Sequence, residues 1–166
     1  MNAEEFKRLY YPFHPKLYRI AFALLSNAAD AEDILQDTYC KLWSKRDELV
    51  DVLQPEAFCV RLIKNSCLDF LKMPRNRTDN ESPESIVIAT GTNPEKELEN
   101  KERIRQVETL IEQLPEKQRI VMQMRGCGDC TLEEIETATG ESAANVRVLL
   151  SRARKTLKSM MNNYEL

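Results

Sequence analysis

A chain of 166 residues with formal net charge −3, 42% hydrophobic and 31% charged, has room for one ordinary domain or two small ones and is not a uniformly basic nucleic-acid binder. No stretch is apolar for long enough to cross a bilayer, and the opening MNAEEFKRLYY lacks a signal-peptide core, so a cytoplasmic location with five reduced cysteines is expected. Four glycines against many Ala, Leu, Glu, Lys and Arg favour an all-α fold.

Helical periodicity runs through residues 1–73. A first helix covers about Ala3–Tyr11, broken by Pro12 and Pro15. A second, about Lys16–Leu25, carries Leu17, Ile20, Ala21 and Leu24 on one stripe. Ser26 or Asn27 can cap a third, about Ala29–Lys45, and Pro55 suits the first turn of a fourth that ends near Lys72. Residues 74–93 hold Pro74, Pro83, Gly91 and several Asn, Ser and Thr, and read as a flexible linker interrupted by Ile86-Val87-Ile88. Asn93-Pro94 opens a second module, with apolar positions at Leu98, Ile104, Val107, Leu110, Ile111 and Leu114, and Pro115 starts a further helix reaching about Arg125.

Charge is unevenly spread. Residues 61–77 and 141–158 are basic, while 79–102 is acidic, which separates two cationic patches by an anionic spacer. Chance clustering of solvated charge explains this equally well until a motif is found.

That motif lies at 131–158. Thr131-Leu-Glu-Glu134 is a capping box, Gly140 can end a helix in the left-handed conformation, and Ser142 caps a last helix to about Met161. Capped helix, glycine turn and capped basic helix form a helix-turn-helix. At 100° per residue, Val146, Leu150, Ala153 and Leu157 fall within about 60° of one another and point inward. The other face presents Ala144, Val148, Ser151, Arg152 and Lys155, flanked by Asn145, Arg147 and Lys158. Arginine can take guanine edges with two hydrogen bonds, Asn145 can read adenine, and Val148 suits a thymine methyl. The competing reading is an amphipathic helix with a solvated basic face; the capped turn favours DNA.

These residues resemble a known family. Leu114-Pro-Glu-Lys-Gln-Arg119, Leu132-Glu-Glu-Ile135, Gly140, Asn145-Val-Arg147 and Ser151-Arg-Ala-Arg-Lys155 look like the C-terminal DNA-binding region of the extracytoplasmic-function (ECF) sigma factors of the sigma-70 family. Leu17-Tyr-Arg-Ile-Ala21, Asp30-Ala-Glu-Asp-Ile34, Gln36-Asp37 and Lys41-Leu-Trp43 resemble the family's polymerase-binding region. Arg61, Lys64-Asn65 and Leu68-Asp69-Phe-Leu71 resemble its promoter-melting helix. The resemblance spans nearly the whole chain in order.

It implies two helical domains, region 2 over 1–73 and region 4 over 94–166, joined by a flexible linker over 74–93. By this resemblance Asp30, Asp33, Gln36, Asp37 and Lys41 dock on the β′ clamp helices of core RNA polymerase. Phe58, Arg61, Lys64, Asn65 and Arg75, with a recognition loop at Asp47–Gln54, serve the minus-10 element. Ala144, Asn145, Arg147, Val148, Ser151, Arg152 and Lys155 face the minus-35 element. The implied partners are core polymerase (β′ clamp and β flap), promoter DNA and an anti-sigma factor, without membrane insertion, catalytic residues, metal or cofactor. The acidic start of the third helix also complements the helix dipole, which accounts for Asp30, Glu32 and Asp33 but not for Asp37, two turns in. Phe58 has two readings of equal weight, base contact and core packing.

The chain departs from the family pattern at three places. Glu136 stands where alanine usually allows close helix approach, Leu149 stands where a polar or basic residue is common, and Gly126-Cys-Gly-Asp-Cys130 is unusual. Cys127 and Cys130 have the spacing of half a zinc site or a redox pair, but no second pair or nearby histidine completes a tetrahedron, so a glycine turn with incidental thiols is the simpler reading. Two rival functions stand beside the sigma reading. One is a helix-turn-helix regulator that never joins polymerase; the other is an enzyme built on the Cys pair, which lacks a base, a phosphate loop or a carboxylate pair.

Overall fold

In the computed structural model, residues 1–74 and 94–164 are described, and every regular element among them is helical. Arg75 and the rest of the linker segment lie outside the described residues.

Helix α1 spans Ala3–Tyr10 and opens on a capping box between Asn2 and Glu5. A 3-10 turn over Tyr11–Phe13, which holds Pro12, leads directly into α2, His14–Leu25, whose first turn takes Pro15. Both prolines therefore sit where a missing N–H costs nothing. Ser26 ends α2 at φ 53°, and Asn27 caps α3, Ala28–Ser44, by accepting the Asp30 N–H at 3.0 Å. The segment before α4 (Pro55–Lys72) contains a 3-10 turn, Glu48–Asp51, anchored by buried Leu49. In the second part of the chain, α5 covers Pro94–Glu112, α6 Glu116–Gly126, α7 Leu132–Thr139 and α8 Ala143–Tyr164.

Helices α1 to α4 pack around Leu17, Ile20, Leu35, Leu42, Val60 and Ile63, all almost fully buried. Each such side chain contributes on the order of 1.5–3 kcal/mol by leaving water. Cys59 and Cys67 lie on the inward stripe of α4, and burial pushes both thiols up to about 12. Helices α6 to α8 pack around Val121, Met124, Ile135, Val146 and Leu150, and a smaller cluster of Leu110, Ile111, Leu114, Ala153 and Leu157 ties α5 to α8.

The two halves are in contact. α4 packs on α7, α2 packs on α6, and the buried residues of both halves form one continuous apolar cluster.

Candidate nucleic-acid and polymerase interfaces

The helix-turn-helix is built from its caps. Thr131 Oγ1 accepts the Glu134 N–H at 3.1 Å, and the Glu134 carboxylate accepts the Thr131 N–H at 2.9 Å. Gly140 closes α7 at φ 76°, a conformation that L side chains rarely adopt. Ser142 Oγ then accepts the Asn145 N–H at 3.1 Å and starts α8. α7 closes on its neighbours through buried Ile135 and Ala138, with Glu136 only half-buried beside them.

On α8 the stripe Val146, Leu150, Ala153 and Leu157 is buried, as the periodicity requires. Ala144, Arg147, Val148, Ser151, Arg152 and Lys155 are exposed together on the opposite face. Asn145 is half-buried, and its amide nitrogen donates to the Glu141 carboxylate, which also lies 3.2 Å from Lys117 Nζ. The bonds from Asn145 and Lys117 hold the Glu141 carboxyl below its ordinary range.

Leu149 is 7% exposed, although it lies next to Val148, which is 41% exposed. It lines a crevice with Lys64 of α4 and with Ile120 and Val121 of α6. The apolar residue that departs from the family pattern therefore fills a gap between the two halves.

Helix α3 presents a row of exposed side chains: Asp33, Gln36, Asp37 and Lys41. Asp30 is half-buried, and burial together with the Asp33 charge raises its pKa. The inner face is pinned by Ala31, Leu35, Thr38 and Leu42, with Thr38 Oγ1 donating to the Ile34 carbonyl at 2.7 Å. Tyr39 donates its hydroxyl to the Tyr10 carbonyl at 3.1 Å, which fixes α3 to α1.

Helix α4 divides its surface. Phe58 is 40% exposed and stands outside the shared apolar cluster, so its ring is not core filler. Asn65 is exposed. Arg61 reaches α7, where its Nε and Nη2 donate to the Thr137 carbonyl at 3.1 and 2.9 Å. Lys64 is half-buried; burial, then repulsion from Arg61, lowers its pKa. In the loop before α4, Val50 and Leu53 are 65% and 96% exposed. Sequence reasoning placed the loop but named no residue in it, because Val50 and Leu53 are two of its four apolar residues and nothing in the order Leu49, Val50, Val52, Leu53 tells the exposed ones from buried Leu49.

The segment Gly126–Cys130 is a tight turn. The Cys127 and Gly128 N–H groups both donate to the Gln123 carbonyl at 3.0 Å, and Asp129 takes φ 51°. A Cβ at Gly128 would come within 2.9 Å of the Met124 carbonyl oxygen, so glycine is required there by close approach. Cys127 is exposed, whereas Cys130 is buried and its thiol is pushed up to about 12. Protonated thiols are poor nucleophiles and poor metal ligands. Among the described residues, no group of three or more His, Cys, Asp and Glu is placed to hold a metal ion.

The molecule is thus a two-part helical protein that carries an acidic, amide-bearing helix face in its first part and a helix-turn-helix in its second. Comparison with known families agrees part by part. Residues 9–77 match the sigma-70 region 2 family and residues 104–157 match sigma-70 region 4. The sigma factor SigV of Bacillus subtilis is 24% identical over 151 residues, covering 90% of this chain and 86% of its own length. The ECF sigma factor SigW of the same organism is 22% identical over 160 residues, covering 91% and 86%. The sigma factor RpoE of Bartonella quintana, solved with the anti-sigma factor NepR, superposes with a TM-score of 0.65 over 96% of this chain and 98% of that one, at 22% identity. CnrH, solved with the cytosolic domain of CnrY, gives 0.64 over 98% and 90%, at 19% identity.

The chain belongs to the sigma-70 family and is an ECF sigma factor. It is a subunit that joins core RNA polymerase and directs initiation at specific promoters, rather than a free-standing helix-turn-helix regulator.

Proposed function

We propose that this sigma factor reads each promoter at two places. In this reading residues 1–73 form region 2, 74–93 the linker and 94–166 region 4. The outer face of α8 (Ala144, Asn145, Arg147, Val148, Ser151, Arg152 and Lys155) enters the major groove at the minus-35 element. Helix α4 and the loop before it serve the minus-10 element through Phe58, Arg61, Lys64, Asn65 and Arg75. Strand opening needs cations for the separated backbone and flat groups for stacked or flipped bases, and these residues supply both. The face of α3 formed by Asp30, Asp33, Gln36, Asp37 and Lys41 docks on the β′ clamp, and region 4 meets the β flap. Two weak DNA sites on one chain gain affinity through effective concentration.

The observation that carries this reading is the outer face of α8: small, polar and basic side chains stand exposed over a fully buried stripe, inside a doubly capped helix-turn-helix. In this reading the chain acts without chemistry of its own and works in the cytoplasm. An anti-sigma factor holds it until needed, a reading supported by the structural neighbour that was solved in complex with the anti-sigma factor NepR. Run-off transcription on promoters selected from random sequence with core polymerase tests the proposal. A transcript that depends on both promoter elements supports it, and DNA binding without promoter-dependent transcript overturns it.

A further inference from the structure

Glu141 lies outside the base-reading face assigned above, at the corner between α7 and α8, yet it holds one member of that face. Its own N–H donates to Thr139 Oγ1 at 3.3 Å, just past the Gly140 turn. One carboxylate oxygen, Oε1, lies 3.2 Å from Lys117 Nζ in the first turn of α6. The other, Oε2, accepts from Nδ2 of Asn145, four residues on. A carboxylate can only accept, so this bond fixes which end of the amide meets Glu141. The Asn145 N–H is taken by Ser142 Oγ at 3.1 Å. The turn therefore sets both the backbone and the side chain of Asn145.

The Glu141 carboxyl, held below its ordinary range by the same two side-chain bonds, stays ionised at neutral pH and keeps its grip. Lys117 and the positive end of α8 offset its charge, which makes a carboxylate tolerable close to DNA phosphates.

Base edges in the major groove differ in what they ask of an amide. Adenine takes both ends, a donor for N7 and an acceptor for N6–H. Cytosine N4–H asks only for an acceptor, and the guanine and thymine edges ask only for donors. With its nitrogen engaged by Glu141, Asn145 has Oδ1 to offer.

We propose that Glu141 is a positioning residue that sets the base read by Asn145, turning an amide suited to adenine into an acceptor for cytosine. The inference deepens, and rests on, the assignment of Asn145 to minus-35 DNA. Adenine at that step requires Nδ2 to leave Glu141, and cytosine does not. Glu141 makes this selection without touching a base.

The test is a binding selection with holoenzyme, the full chain on core polymerase, from a duplex promoter library randomised across the minus-35 element. Asn145→Ala locates the step as the position whose base preference it flattens. There the parent chain is expected to favour cytosine over adenine by roughly fivefold or more, and Glu141→Ala to reverse that order by a similar factor as the two-bond adenine contact becomes available. Glu141→Ala keeps the turn, because the bonds to Thr139 and Ser142 use backbone N–H groups. Glu141→Gln, whose side-chain oxygen still accepts from Asn145, should retain the parent's order. A merely structural role for Glu141 would lower binding to every sequence alike and leave the order of bases unchanged. The same order in Glu141→Ala as in the parent, or a parent that favours adenine, overturns the inference. If Asn145→Ala flattens no position, the assignment of Asn145 to DNA fails first and this inference with it, while the other α8 residues stand on their own substitutions.

Discussion

Helices α3 and α4 are neighbours of similar length in the same half of the molecule, and both carry candidate binding faces, yet one face is bare throughout and the other is partly engaged, with Phe58 and Asn65 exposed, Lys64 half-buried and Arg61 bonded to Thr137. On α3 the polar row Asp33, Gln36, Asp37 and Lys41 meets solvent, and the apolar stripe behind it satisfies the helix. On α4 two stripes are occupied: Cys59, Ile63 and Cys67 fill the core of the first half, while Val60, Arg61 and Lys64 lean on the second. A helix buried on one side can offer the other to a partner at once. A helix flanked on two sides must first give up a contact.

The largest effect that bears on this contrast is expected from the shared core. Ile135 is fully buried in α7, and Ile135→Ala should cost about 2–5 kcal/mol of unfolding free energy in urea titration. A cost under 1 kcal/mol would mean that α7 contributes little to the apolar cluster joining the halves. Next is DNA reading on α8: Arg152→Ala should weaken minus-35 duplex binding by about 1–3 kcal/mol if it contacts a base, and unchanged affinity removes it from the interface.

Third comes the separation of roles between the two helices. Asp37→Ala should raise the Kd for core polymerase about tenfold, or 1.4 kcal/mol, while isolated DNA binding stays as it was. The reverse pattern would exchange the functions given to α3 and α4.

The smallest effect is pH-dependent. Burial opposes charge on both Lys16 and Glu134, but their mutual hydrogen bond and attraction outweigh it, with help from Glu56 on Lys16 and Thr131 on Glu134. The pKa of Lys16 is raised and that of Glu134 lowered. The Glu134 contribution is present above its unfolded value and fades as pH falls through the depressed folded value. The Lys16 contribution is present below its unfolded value and fades as pH rises through the raised one. Stability should be flat near neutrality and fall in acid by about 1 kcal/mol or less. A K16E variant should lack that component in acid unfolding titrations, and an identical acid limb in both proteins would mean the pair adds nothing.

Much of this molecule can be read along the chain because its helices announce themselves locally. Asn27, Thr131, Gly140 and Ser142 do in the structure what their side chains or lack of one suggest, and the Val146–Leu157 stripe follows from a 100° step. The contact between the halves has no such signature. Lys16 and Glu134 are far apart in sequence, and each reads as an ordinary surface charge until the fold brings them together. Arg61 has the right chemistry for DNA, but the same five-donor fork serves a carbonyl equally well. Leu149 was visible as a departure from the family, yet only the crevice beside Lys64 explains it. The 3-10 turn at Glu48–Asp51 escaped notice because one apolar anchor, Leu49, is too little to make a period.

If Asn145 reads a promoter base as proposed, its bond to Glu141 bears on how fast a site is chosen. An amide already held by a carboxylate must let go before it can read adenine, so discrimination at that base step is a difference between two hydrogen bonds. Duplexes that offer nothing at that step leave the pair closed, and sliding past them meets little friction. On the proposal that Asn145 reads a base, dwell time, more than the strength of first capture, is where it would distinguish one sequence from the next.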